Sequence, residues 1–142
     1  MAALQATLAG EHAAVWLYGV LGAQASQTRQ PSLFDELRAA FELHRRRRDE
    51  LTVTISRLDA QPVASKASYE LPNPARTPAQ LSAAALQVES RLADLYGQQV
   101  QSTTRRERAW AVAALADCAV RQLRFGGAPS DLPGMPVTAS GR

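Results

Sequence analysis

Six ionisable side chains fall where a repeating three-and-four spacing of apolar residues calls for hydrophobes: Glu11, His44, Arg48, Glu89, Asp117 and Arg121. A charge taken into a protein interior costs several kcal/mol unless a counter-charge or a metal ion meets it. Two chemistries could account for such a set. One is a dinuclear metal site, which in a bundle of four helices needs a Glu from each of two helices and a Glu-x-x-His from each of the other two. The three-residue step matters because it puts carboxylate and imidazole one turn apart on the same helix face. No helical acid here has that partner: Glu11 is followed three residues on by Ala14, Glu36 by Ala39, Glu42 by Arg45, Glu50 by Val53, Glu89 by Leu92, Glu107 by Trp110 and Asp117 by Val120. Three carboxylates and one imidazole are too few for the usual pair of irons. The second chemistry is an ion-pair network, in which Arg48, Arg121 and a protonated His44 neutralise Glu11, Glu89 and Asp117. Asp117 and Arg121 are spaced i, i+4, and the planar fork of an arginine can join carboxylates from different helices. Guanidinium groups also bring positive charge to the place where cations would sit. The favoured reading is therefore a polar core with no cofactor; the alternative is iron, manganese or zinc held by Glu11, His44, Glu89 and Asp117.

The elements that must position these residues are helical. Residues 3 to 26 carry Leu4, Leu8, Glu11, Val15, Tyr18 and Gly22 on one seam, and residues 33 to 59, opened by Ser32 as cap, carry Phe34, Leu37, Phe41, His44, Arg48, Leu51, Ile55 and Leu58. On this phase the run "HRRRRDEL" divides, with Arg48 turned inward beside His44 and Arg45, Arg46 and Arg47 toward solvent. Residues 60 to 77 hold three prolines and no periodicity, which predicts a crossover lying along the surface. Thr77 followed by Pro78 is a cap and first-turn signal. The third helix, to about residue 101, places Leu81, Ala85, Val88, Glu89, Leu92, Leu95 and Tyr96 inward. After a junction capped by Thr103 or Thr104, the fourth places Trp110, Ala113, Asp117, Val120 and Arg124 on its stripe and ends at the Gly pair after Phe125. The expectation is an all-α, antiparallel four-helix bundle over residues 1–127 with a long connection between helices two and three, followed by an irregular arm over 128–142.

Composition narrows the partners. Of 142 residues, 46% are hydrophobic and only 6% aromatic, which suits closely packed Ala-rich helices better than a β-sandwich. The net charge is +3 and Lys66 is the only lysine, so the arginine content reflects a high-GC coding bias more than a nucleic-acid footprint. Arg45–Arg47 and Arg105–Arg108 are diluted by Asp49, Glu50 and Glu107, and no DNA- or RNA-binding motif accompanies them. Cys118 is the only cysteine, which excludes an internal disulfide and fits a reducing, cytoplasmic setting. Beside Asp117 it is a poor nucleophile. The apolar run "AAVWLYGVLGAQA" follows Glu11 and His12, and is too short to span a bilayer. An Ala-rich outer face would permit a homodimer.

"LAGEHAAVWLYG", "HRRRRDEL", "ESRLADLYGQQV" and "ALADCAVRQLRFGG" together resemble an uncharacterised ferritin-like domain family of high-GC actinobacteria, over residues 4 to 127. The resemblance implies a ferritin-like bundle, with Glu11 and Glu89 where that superfamily has its single carboxylates and His44 and Asp117 near its metal-binding elements. Arg48, Arg121 and the missing Glu-x-x-His motifs depart from the metal-binding pattern. The expected protein is a structural or binding module whose dinuclear site has degenerated; the rival is a metal-dependent oxidoreductase.

Overall fold

A computed structural model describes residues 1–130 and 133–134. Its elements are four helices: α1 (Ala2–Gln24), α2 (Pro31–Arg57), α3 (Pro78–Ser102) and α4 (Arg105–Arg124), with no strand among the described residues. The arm expected over 128–142 falls mostly outside the described residues; of it, Gly134 stands against Ala93 and Gly97 of α3, so close that a side chain at either glycine would meet backbone.

Local signals explain the helix ends. Thr77 is the cap of α3, its hydroxyl accepting from the Gln80 amide at 3.2 Å, with Pro78 pre-set for the first turn. Ser32 is not the cap of α2: Gln30 takes that position, and Pro31 opens the helix because its missing N–H would have had no partner there. Thr104 caps α4 in position only, with no side-chain bond. The connection over residues 58–77 lies along α1. Gln5 donates to the Gln61 carbonyl at 2.7 Å and accepts from the Val63 amide at 2.8 Å, His12 Nε2 meets the Val63 carbonyl at 3.1 Å, and Tyr69 packs on Trp16.

Small residues decide which helices touch. α1 packs closely on α2 and α3, and α3 on α4, through Ala14, Ala40, Ala84, Ala85, Ala93, Ala111 and Ala114, all buried. At Gly10 an added side chain would meet the methyl groups of Leu95 and Leu92, so α1 and α3 lie close there. By contrast, among the described residues no α-carbon of α2 comes within 8 Å of one of α4. Side chains alone span that gap.

The seam of α3 largely follows the expected phase, and the stripe of α4 is turned by one residue. α1 keeps Leu4, Leu8, Glu11 and Tyr18 but buries Ala14 and Leu21 in place of Val15 and Gly22. α2 keeps Leu37, His44, Leu51 and Ile55 but buries Ala40 and Arg47 in place of Phe41 and Arg48. α2 buries Leu37, Ala40, His44, Arg47, Leu51 and Ile55, leaving Phe41 at the flank against Gly19. α4 buries Ala111, Ala114, Cys118 and Arg121, with Val120 exposed. Close helix approach selects the small residues Ala40, Ala111 and Ala114 over their bulkier neighbours Phe41 and Trp110.

Thr77→Ala removes a formed cap bond and should cost about 1 kcal/mol, whereas Thr104→Ala should change little. Urea midpoints of the two variants check this; equal losses would contradict it.

Candidate functional site

Midway along the bundle, α1, α2 and α3 place Glu11, His44 and Glu89 at full burial. His44 Nδ1 meets Glu11 Oε2 at 2.7 Å and its Nε2 meets Glu89 Oε1 at 3.1 Å. An ionised carboxylate only accepts, so a ring facing one on each side needs an N–H on both nitrogens. Both contacts and the raised pKa favour an imidazolium, and Tyr18 stacks on the ring at 5.3 Å with planes 6° apart.

Two tyrosines lock the acids from the opposite helix. Tyr18 of α1 donates to Glu89 of α3 at 2.5 Å, and Tyr96 of α3 donates to Glu11 of α1. Both helices thus carry Glu-x6-Tyr, two turns or about 10 Å along one face, and the two motifs cross. The pattern is present in the sequence, with both tyrosines on the expected inner faces of their helices.

Arginines close the network toward the gap between α2 and α4. Arg121 donates from Nε to Glu89 at 3.1 Å and from Nη1 to Asp117 at 2.6 Å. Arg47 donates to the same Asp117 oxygen at 2.6 Å and to the Tyr96 hydroxyl at 3.3 Å, and its guanidinium lies over the Tyr96 ring. Cys118 donates to the Glu89 carboxylate and carbonyl, each at 3.0 Å. Three acids therefore face three cations. Within this network Arg121 Nη2 is buried without a partner, beside a cavity of about 210 Å³ that Arg46 and Arg124 also line.

A model of a domain of unknown function, DUF4439, matches residues 3–137. The chain belongs to the DUF4439 family. A conserved hypothetical protein of Mycobacterium tuberculosis, rv2844, has a similar crystal structure, with a TM-score of 0.80, 30% identity, and coverage of 87% of this chain and 92% of that one. No curated protein matches.

Of the six residues singled out in this DUF4439 chain, the structure brings together Glu11, His44, Glu89 and Arg121, with Asp117 at the rim, its side chain 48% exposed. Arg48 is not among them. It turns away to pair with its neighbour Asp49 at 2.8 Å, and Arg47 takes the inward place. From His44, three residues and four residues on are both admissible steps on a 3.6-residue helix; the seam through Ala40 fixes the shorter one. Arg47, Cys118 and the tyrosine hydroxyls were the partners the sequence phase did not supply. Among the described residues, no group of three or more His, Cys, Asp or Glu is arranged to hold a metal ion. None of the helices is long and apolar enough to cross a membrane.

Electrostatics follow from these contacts. Burial alone would lower the pKa of His44, but its bonds to Glu11 and Glu89 outweigh that and raise it from 6.5. Burial would raise Glu89, yet His44, Arg121 and Tyr18 bring it down to about 2. Asp117, whose partial burial would raise it, is lowered by Arg121 and Arg47. Burial and then Glu89 push the Cys118 thiol up, so it is no nucleophile. Burial and the adjoining carboxylates likewise keep Tyr18 and Tyr96 protonated.

Two predictions follow from the geometry. Arg121→Met strands Glu89 and should cost roughly 3 kcal/mol, while Arg48→Met should stay within about 0.5 kcal/mol; similar denaturation midpoints for the two would contradict the assignment of the inward arginines. The second concerns pH. The raised pKa of His44 contributes stability fully below its ordinary 6.5 and loses it as pH climbs through the folded value. The lowered pKa of Glu89 contributes above its ordinary 4.5 and loses it as pH falls toward 2. The urea midpoint should accordingly be highest between pH 4.5 and 6.5 and decline on the alkaline side. A midpoint that rises from pH 6.5 upward would contradict an imidazolium in the core.

Proposed function

We propose that this DUF4439 protein is a ferritin-like, antiparallel four-helix bundle that has exchanged dinuclear metal chemistry for an organic cation core, and that it works in the cytoplasm as a structural or binding module. One observation carries the reading: both ring nitrogens of His44 are engaged by carboxylates, so the only imidazole in the cluster has no lone pair for a metal. Glu89 adds to this, since its oxygens already take Tyr18, His44, Arg121 and Cys118. A cation entering here would have to displace an imidazolium proton and approach a guanidinium. The donor set present does not fit iron, manganese or zinc, and Asp117, the fourth ligand a metal site would need, spends one oxygen on two arginines.

Pairing across the helices supports the antiparallel arrangement. As position rises along α1 from Glu11 to Tyr18, its partner on α3 falls from Tyr96 to Glu89. From Glu89 to Gln99 along α3, the partner on α4 falls from Cys118 to Glu107. With the long connection between α2 and α3, this is the connectivity of ferritin-like folds. The buried lone thiol suits a reducing compartment.

Elemental analysis of protein purified without chelators is expected to find far less than one iron, manganese or zinc per chain, and the melting temperature should be indifferent to adding them. Near-stoichiometric metal, or a large metal-dependent rise in melting temperature, would replace this reading with the oxidoreductase one.

A further inference from the structure

The gap between α2 and α4 is crossed by two side-chain bridges, Arg47 to Asp117 and Trp110 Nε1 to Glu50 at 2.8 Å. At the end of the bundle where α1 and α4 begin and α2 and α3 end, it opens into a cavity of about 530 Å³. That volume is in the range of small-molecule sites, which join apolar walls to a few placed polar groups. The walls here are Leu4, Leu51, Val53 and the ring of Trp110.

One buried polar group in this lining lacks a partner. Gln99 is 1% exposed and lines the cavity; its Nε2 donates to the Glu107 carbonyl at 3.3 Å, and its Oε1 is buried with no donor. The amide cannot be turned over to cure this, because the oxygen would then face the Glu107 carbonyl. A buried acceptor left unmade costs free energy that an incoming donor recovers. Arg57 and Arg106 share the lining with Asp49, Glu50 and Glu107, and Asp49 is already paired with Arg48, so the remaining charges balance and set no demand for a charged ligand.

We propose that this end of the α2–α4 cleft binds a small, largely apolar, uncharged molecule that presents one hydroxyl or N–H to Gln99 Oε1. The ring of Trp110, held by Glu50, forms the flat wall, and Leu4 and Leu51 form the floor. The site is separate from the His44 network, and its test is read independently of metal content.

Isothermal titration of the full chain with 1-naphthol and with 1-methoxynaphthalene tests the proposal, since the two share an apolar body and differ in the donor. The expected result is saturable one-to-one binding of 1-naphthol, roughly tenfold tighter than the methyl ether. Gln99→Leu should erase that preference while retaining helical content. Val53→Trp, at a half-exposed position, should abolish binding of both compounds without lowering the melting temperature. Absence of saturable binding to the folded wild-type chain, a preference that persists in Gln99→Leu, or undiminished binding in folded Val53→Trp would overturn the proposal.

Discussion

The imidazolium of His44, held between Glu11 and Glu89, is the constraint that the rest of the bundle accommodates. Two carboxylates at full burial are strongly unfavourable on their own, and one flat cation with an N–H on each side satisfies one oxygen of each. The remaining oxygens must also be met. Tyr96 reaches across from α3 to that of Glu11 and Cys118 takes that of Glu89, while Tyr18 and Arg121 share with His44 the Glu89 oxygen it faces. Few alternative packings would satisfy every member of such a network, which is why a buried polar cluster of this kind specifies a unique arrangement as much as it stabilises one.

The same constraint shapes the spacing of the helices. α1, α2 and α3 must lie close enough for Glu11, His44 and Glu89 to touch, and alanines and Gly10 along their seams permit it. α4 is drawn to α3 through Cys118 at Glu89, so it is held away from α2. Long arginines then reach where backbones do not: Arg47 from α2 and Arg121 from α4 meet on one oxygen of Asp117. The cleft between α2 and α4 is the space left by that solution, and Gln99 and Arg121 each keep one buried polar atom without a partner along it.

Much of this was legible in the residues, because helical period and punctuation are local signals. Thr77-Pro78 marks the start of α3, the proline-rich stretch marks the long connection, and Glu11, His44 and Glu89 stand out as charges on apolar stripes. What the residues left open was rotation by one position about a helix axis. Arg47 and Arg48 are 100° apart, and the larger hydrophobes Phe41 and Trp110 drew the expected stripe toward themselves. In the fold, close approach favours Ala40, Ala111 and Ala114: the α4 stripe turns by one residue, and α2 exchanges Phe41 and Arg48 for Ala40 and Arg47 while keeping the rest. That preference is tertiary, so no period within one helix reports it. The crossed Glu-x6-Tyr pairs depended similarly on knowing that α1 and α3 are neighbours.

The central claim concerns two protons on one ring, and nitrogen NMR of His44 observes them directly. At neutral pH, well above the ordinary titration of a free histidine, both Nδ1 and Nε2 should show protonated shifts, each coupled to its own hydrogen. A spectrum with one bare ring nitrogen, whether a neutral tautomer or a ring bound to metal, would contradict the account.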